Sequence, residues 1–140
     1  MSGLTAGVRH VTDSFAVAAQ LSAGDIAEAA ASGVRLIINN RPDDEEPGQP
    51  SSRELAEAAR RAGATYLHLP VRGAPTRDQV DAMSAALETA NGAAVAFCRS
   101  GMRSIFTWAI GRQISGSMTR DEIVEAAQRA GYALDAYLPG

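Results

Sequence analysis

The sequence predicts a single α/β domain whose central sheet is mainly parallel and is flanked by helices. Apolar segments of strand length alternate along the chain with segments of helical pattern. Most helical segments begin at Ser or Thr, with an acidic residue or Gln three positions later, and glycine follows several of them. Strands separated by helices pair in parallel, and 140 residues suit one hydrophobic core. We therefore expect one domain over residues 1–140.

The N-terminal part predicts strand, helix and strand in that order. Residues 8–18, VRHVTDSFAVA, are typical of one or two short strands. Ser22, followed by Asp25, predicts the start of a helix that ends at Gly33. The apolar run VRLIIN, residues 34–39, predicts the next strand.

The middle of the chain repeats the same pattern. Ser51 and Glu54 form a capping-box signature, and Gly63 ends the helix that they begin. Residues 64–70, ATYLHLP, predict a strand that Pro70 closes.

The C-terminal part predicts three more helices and one more strand. Thr76 begins the first of these helices, and the strand AAVAFC follows over residues 93–98. An apolar helix is expected over 103–115, and Thr119 begins the last helix, which ends at Gly131.

Three loops are expected to meet at one edge of the sheet. They are the acidic, proline-rich loop 40–50 (NRPDDEEPGQP), loop 70–75, and the turn after strand 93–98. In an open α/β sheet, the loops that follow the strands line the ligand crevice. The sequence therefore predicts a ligand site where these loops converge.

Composition excludes several classes of function. A net charge of −3 and 5% aromatic residues argue against a nucleic-acid partner. No run has membrane-spanning length, and the N-terminus has no signal-type apolar stretch, so we expect a cytoplasmic protein with no membrane partner. One cysteine and two histidines make a structural zinc site implausible, and we expect no metal or cofactor.

The sequence CRSGMRS, residues 98–104, is the strongest functional signal. Cys98 follows a buried strand and precedes a helix, so the amides of the turn point inward, and the N-terminus of the helix adds partial positive charge. Arg103 can clamp an anion with its planar fork, and the same groups favour the nucleophilic thiolate of Cys98. A free cysteine is often only a small buried hydrophobe, but the glycine, arginine and serine that follow Cys98 on this turn favour a catalytic role. The predicted oxyanion-binding loop comprises Arg99, Ser100, Gly101, Met102 and Ser104.

This motif resembles the active loop of rhodanese-type sulfurtransferases and, with one residue fewer, that of cysteine-dependent tyrosine and dual-specificity phosphatases. From about Val11 to Gly116, including SFAVAAQLSAGDIAEAAASGVRLIINNRPDDEEPGQPS, YLHLPV and FCRSGMRS, the chain resembles the phosphatase-like domain family found alone or fused to beta-lactamase-like hydrolases in bacteria. The resemblance implies a fold like that of dual-specificity phosphatases. It leaves phosphoryl and sulfur transfer open.

Three departures from the phosphatase pattern favour sulfur transfer. Four residues rather than five separate Cys98 from Arg103, and Phe97 stands where phosphatases usually have histidine. The loop PVRGAPT, where a phosphatase keeps its general acid, has no carboxylate. Sulfur transfer needs no proton donor, so we favour a sulfurtransferase that forms a Cys98 persulfide, with a phosphatase that forms a phosphocysteine as the alternative. A non-catalytic oxyanion-binding or redox-sensing module is a further alternative.

The expected partners are a small anion, either a sulfane-sulfur donor or a phosphate ester, and a thiol acceptor or partner protein.

Five residues outside the turn are candidate accessory groups. Arg41 and Arg72 could attract the anion, although Arg41 could equally be a solvated partner of the acidic loop. Asp43, Asp44 and Glu45 could supply a general acid, although a solvated acidic loop is the simpler interpretation. His68 is expected to be a partly buried structural residue.

Overall fold

The computed structural model of the protein describes residues 7–139 and contains one five-stranded sheet. The strands are β1 (Arg9–His10), β2 (Phe15–Ala18), β3 (Val34–Asn39), β4 (Thr65–His68) and β5 (Ala93–Phe97). Their spatial order is β1-β2-β5-β3-β4, and only β1 pairs antiparallel with its neighbour. The predicted α/β fold with a mainly parallel sheet is confirmed. The predicted domain limits include residues 1–6 and 140, which lie outside the described part.

Five helices connect and follow the strands. They are α1 (Ala23–Ala31), α2 (Ser52–Ala62), α3 (Arg77–Thr89), α4 (Met102–Ser115) and α5 (Arg120–Arg129). Full capping boxes begin α1, α3 and α5 at Ser22, Thr76 and Thr119, as predicted. At α2 only half of the predicted box forms, because Ser51 accepts from the Glu54 amide without a reciprocal bond from the Glu54 side chain. Within residues 7–139, none of the helices is long and apolar enough to cross a membrane.

The core forms two apolar layers, one on each face of the sheet. One layer joins alternate strand residues to Ile26 of α1 and Leu55 of α2. The opposite layer packs Met83 of α3, Ile105 of α4 and Ile123 of α5 against the other strand residues. Strand side chains alternate between the two faces, so helices on both sides keep the central strands buried.

The predicted convergence of three loops is confirmed by direct contacts. Arg103, at the start of α4, donates hydrogen bonds to Glu45 in loop 40–50 and to the Val71 carbonyl in loop 70–75. These contacts place the cysteine turn between the two other loops at the carboxyl edge of the parallel strands. The fold thus brings the sequence's strongest functional signal to the crevice where α/β proteins bind ligands.

Candidate active site

Cys98 lies directly after β5 and is fully buried. Its backbone amide donates to the carbonyl of Ala18, at the end of β2, with an N···O distance of 3.3 Å. The preceding residue, Phe97, packs in the core layer of α1 and α2. Two neighbouring strands therefore fix the position at which the sulfur enters the crevice.

The turn after Cys98 directs an amide at the sulfur. The Gly101 amide donates to Sγ of Cys98 with an N···S distance of 3.1 Å. Gly101 has φ +94°, a conformation that side-chain-bearing residues rarely adopt. A Cβ at this position would lie 2.2 Å from the hydroxyl oxygen of Tyr132. Only glycine therefore fits here.

Helix α4 begins beside the sulfur with no side-chain cap. Among the described helices, the other four have a Ser or Thr side chain that accepts from a first-turn amide, whereas Gly101 at the start of α4 provides none. Met102 donates its amide to the Ser100 hydroxyl. The amides of Arg103 and Ser104 lie in the first turn, where helical geometry offers no backbone acceptor. These amides and the helix dipole make the turn suitable for an anion.

The side chain of Arg103 is paired with the carboxylate of Glu45. Its Nη1 and Nη2 donate to the two carboxylate oxygens of Glu45, each at 2.8 Å, and Nη1 also donates to the Val71 carbonyl at 2.8 Å. The bond to Glu45 is the main cause that raises the pKa of Arg103, and interaction with Cys98 adds to it. Arg103 therefore lies within range of the sulfur, but Glu45 occupies its fork.

Glu45 is ionised in this arrangement. The hydrogen bond from Arg103 is the main cause that lowers its pKa to about 2, and Arg41 acts in the same direction. Such a carboxyl group carries no proton to donate at neutral pH. Among the predicted acidic candidates, Glu45 is the one that contacts Arg103, and it does so as a carboxylate.

Arg41 is a buried organising residue rather than a solvated one. Its side chain is 2% exposed, and it donates to Glu45, Glu46 and Gln20. The alternative interpretation, in which Arg41 is a solvated partner of the acidic loop, was therefore correct that Arg41 pairs with carboxylates of this loop and wrong that it is solvated. Its backbone carbonyl also contacts Nε2 of His68, which gives that histidine the expected structural role.

The remaining predicted residues are spread around the turn. Asp43 accepts from the Ser52 amide at the start of α2, which gives it a structural contact. Asp44 and Arg72 are exposed, and Arg99 lies 3.9 Å from a carboxylate oxygen of Glu46. Ser104 is buried, and its hydroxyl has no hydrogen-bond partner within residues 7–139.

Tyr132 is a site residue that the sequence analysis missed. Its hydroxyl donates to the Ser100 carbonyl in the cysteine turn at 2.8 Å. The residue lies after α5, so no local motif connects it with residues 98–104. The nearest sequence signal is Gly131, the predicted end of the last helix, which directly precedes Tyr132.

Comparison with known proteins identifies the family of the chain. The model of the family described as beta-lactamase hydrolase-like protein, phosphatase-like domain, matches residues 7–115. The chain belongs to this family. Beta-lactamase hydrolase-like proteins of Xylella fastidiosa and Agrobacterium fabrum are 35% and 33% identical over 89% and 91% of the chain. The chain spans only 29% and 30% of the length of these relatives.

Solved structures agree on the fold. A candidate phosphatase from Neisseria meningitidis superposes with a TM-score of 0.83 at 29% identity, over 95% of this chain and 94% of that one. Tk-PTP in its active form (TM-score 0.75, 17% identity, 94% and 90% coverage) and human DUSP28 (0.65, 20%, 94% and 85%) share the fold. The phosphatase-like fold predicted from the resemblance is confirmed. These findings support the phosphatase alternative and give no specific support to the favoured sulfurtransferase.

Proposed function

We propose that the protein is a cysteine-dependent phosphatase that hydrolyses phosphate monoesters through a Cys98 phosphocysteine. The observation that carries the proposal is the placement of Cys98, the Gly101 amide and Arg103 on one strand-to-helix turn of a phosphatase-like fold. The Gly101 amide can stabilise a thiolate at this position by a hydrogen bond, and Arg103 also interacts with the sulfur. The phosphatase-like family and the solved structures that share its fold, rather than the turn itself, lead us to rank phosphoryl transfer above sulfur transfer.

The first step is transfer of the phosphoryl group to sulfur. The Cys98 thiolate attacks phosphorus, so that an S–P bond forms while the bond from phosphorus to the leaving oxygen breaks. The first-turn amides of α4 and the Arg103 guanidinium stabilise charge on the non-bridging oxygens. The leaving oxygen departs with the electron pair of the broken bond and takes a proton from water.

The second step restores the enzyme. Water attacks phosphorus of the phosphocysteine and gives its proton to solvent. The S–P bond breaks, inorganic phosphate leaves, and the electron pair returns to Cys98 as the thiolate. The Gly101 amide, 3.1 Å from the sulfur, stabilises the negative charge that returns.

The leaving group decides which esters react well. Glu45 is ionised, and loop 70–75 contributes no carboxylate, so neither of them can supply a proton to the leaving group. A phenol, with a pKa of about 10, leaves more readily without protonation than an alkyl alcohol does. We therefore expect the enzyme to prefer aryl phosphates to alkyl phosphates.

Sulfur transfer is the second candidate, and the four-residue spacing between Cys98 and Arg103 favours it. In this reaction the thiolate attacks the outer sulfur of thiosulfate, a new S–S bond forms, and sulfite leaves. A thiol acceptor or partner protein then takes the sulfur from Cys98. The ionised state of Glu45 is compatible with this chemistry, because neither step needs a carboxylic acid.

A steady-state comparison tests the proposed phosphatase. Wild type and Cys98→Ser are assayed with a series of aryl phosphates and with one alkyl phosphate. We expect Cys98-dependent turnover, with rates that fall as the leaving group becomes more basic. Turnover that persists in Cys98→Ser would contradict the proposal, as would no turnover of any phosphate ester.

A further inference from the structure

Tyr132 and Cys98 contact the same peptide unit from opposite sides. The Tyr132 hydroxyl donates to the Ser100 carbonyl at 2.8 Å, and the Gly101 amide of that peptide donates to Sγ at 3.1 Å. The peptide is trans, because the described chain has no cis bonds, so its C=O and N–H point in opposite directions. One hydrogen bond therefore fixes the direction of the other.

Two features hold Tyr132 in place. The turn after α5 is a Schellman motif, in which Tyr132 donates its amide to the Ala127 carbonyl and Gly131 donates to Gln128. Helix α5 itself is anchored in the core by Ile123 and neighbouring alanines. The hydroxyl is thus presented to the cysteine turn from a rigid element.

The protonation state of Tyr132 suits a donor. Burial is the main cause that raises the pKa of the phenol, and the charge of Cys98 acts in the same direction, while Arg9 opposes both. The hydroxyl therefore stays protonated at neutral pH. Arg103 also interacts with the sulfur and is itself paired with Glu45.

We propose that Tyr132 is a positioning residue that holds the Ser100–Gly101 peptide with its N–H directed at Cys98. It acts through that amide and does not touch the substrate. The peptide could otherwise rotate and present its carbonyl to the sulfur, which would repel a thiolate. The inference rests on the proposed role of Cys98 as the nucleophile, and it concerns a residue beyond the 7–115 segment that the family model matches.

The test compares Tyr132→Phe with Tyr137→Phe. The first variant keeps the ring and removes the hydroxyl, and the second makes the same change at an exposed tyrosine five positions along. The rate of alkylation of Cys98 by iodoacetamide is measured against pH, by intact mass. We expect Tyr132→Phe to be alkylated about fivefold more slowly at pH 7, because one orienting hydrogen bond is lost. Tyr137→Phe should match wild type.

An NMR measurement reads the amide directly. Labelling with ¹⁵N-glycine gives at most 13 backbone signals, and we expect the Gly101 signal to be the one that moves most in Cys98→Ser, because its amide donates to Sγ. In Tyr132→Phe this proton should move upfield, toward the position of an unbonded amide. Unchanged alkylation and an unchanged Gly101 signal would overturn the inference. Neither readout needs phosphatase turnover, so an inactive wild type would count against the proposed function only.

Discussion

Replacing Glu45 with glutamine should tighten the binding of inorganic phosphate at the cysteine turn. In the free protein, both terminal nitrogens of Arg103 donate to the Glu45 carboxylate, at 2.8 Å each. A phosphate that engages the same fork must displace this carboxylate. The wild-type affinity is therefore reduced by the free energy of the Arg103–Glu45 pair.

The size of the effect follows from exposure and geometry. The Arg103 and Glu45 side chains are 20% and 25% exposed, so the pair is stronger than a fully solvated one. The bidentate geometry strengthens it further, but a glutamine amide oxygen still accepts one bond. We expect a gain of about 1–1.4 kcal/mol, which is about a fivefold to tenfold lower Kd.

The same substitution should destabilise the fold. Arg41 is buried and would lose one partner while keeping Glu46 and Gln20. A buried charge with one bond fewer lowers the free energy of unfolding by about 1–2 kcal/mol. Glu45→Gln should thus bind phosphate more tightly and unfold more easily.

Isothermal titration calorimetry with inorganic phosphate and urea denaturation measure the two effects. Glu57→Gln is the matched control, because Glu57 also pairs with two arginines but lies on the exposed face of α2. An affinity for phosphate in Glu45→Gln equal to or weaker than that of wild type and control would refute the competition. It would mean that Glu45 instead holds Arg103 ready for the substrate.

Three further predictions concern the same crevice. Arg103→Lys keeps the charge but loses the planar fork, so kcat/KM for an aryl phosphate should fall about a hundredfold, whereas Arg77→Lys on the surface should leave it unchanged. Asp43→Asn and Asp44→Asn should each keep activity within about twofold, because neither carboxylate contacts the Arg103 guanidinium. A rate loss confined to phosphate esters with basic leaving groups would instead identify a general acid. In urea denaturation, wild type should be more stable than Glu45→Gln by a constant amount above pH 4.5, the ordinary pKa of the carboxyl group. This difference in the free energy of unfolding should disappear as the pH falls toward about 2. A difference that stays constant over this range would contradict the ion pair.

Local signals predicted the fold well, because capping and strand patterns act over a few residues. Ser22, Thr76 and Thr119 begin their helices as expected, and β3 has the predicted bounds. Parallel pairing follows from the alternation of strands and helices, and it places the three loops at one edge. Cys98 and Arg103 were found because they share one short turn.

Contacts between distant segments could not be predicted in the same way. Glu45 and Arg103 are 58 positions apart, and nothing in the composition of loop 40–50 distinguishes Glu45 from its acidic neighbours. The burial of Arg41 depends on how that loop folds over the turn. Tyr132 reaches Ser100 across 32 positions, through a helix-terminating turn whose direction sequence patterns do not specify.

The covalent state of Cys98 during turnover tests the central claim most directly. The protein is mixed with an aryl phosphate or, separately, with thiosulfate, quenched in acid within the first turnover, and analysed by intact mass and peptide mapping. The account predicts that the aryl phosphate adds one phosphoryl group to Cys98, that Arg103→Lys accumulates little of it, and that Cys98→Ser gains none. A protein that stays free of phosphate while thiosulfate loads Cys98 with one sulfur atom, removable by a thiol, would contradict the account and establish the sulfurtransferase.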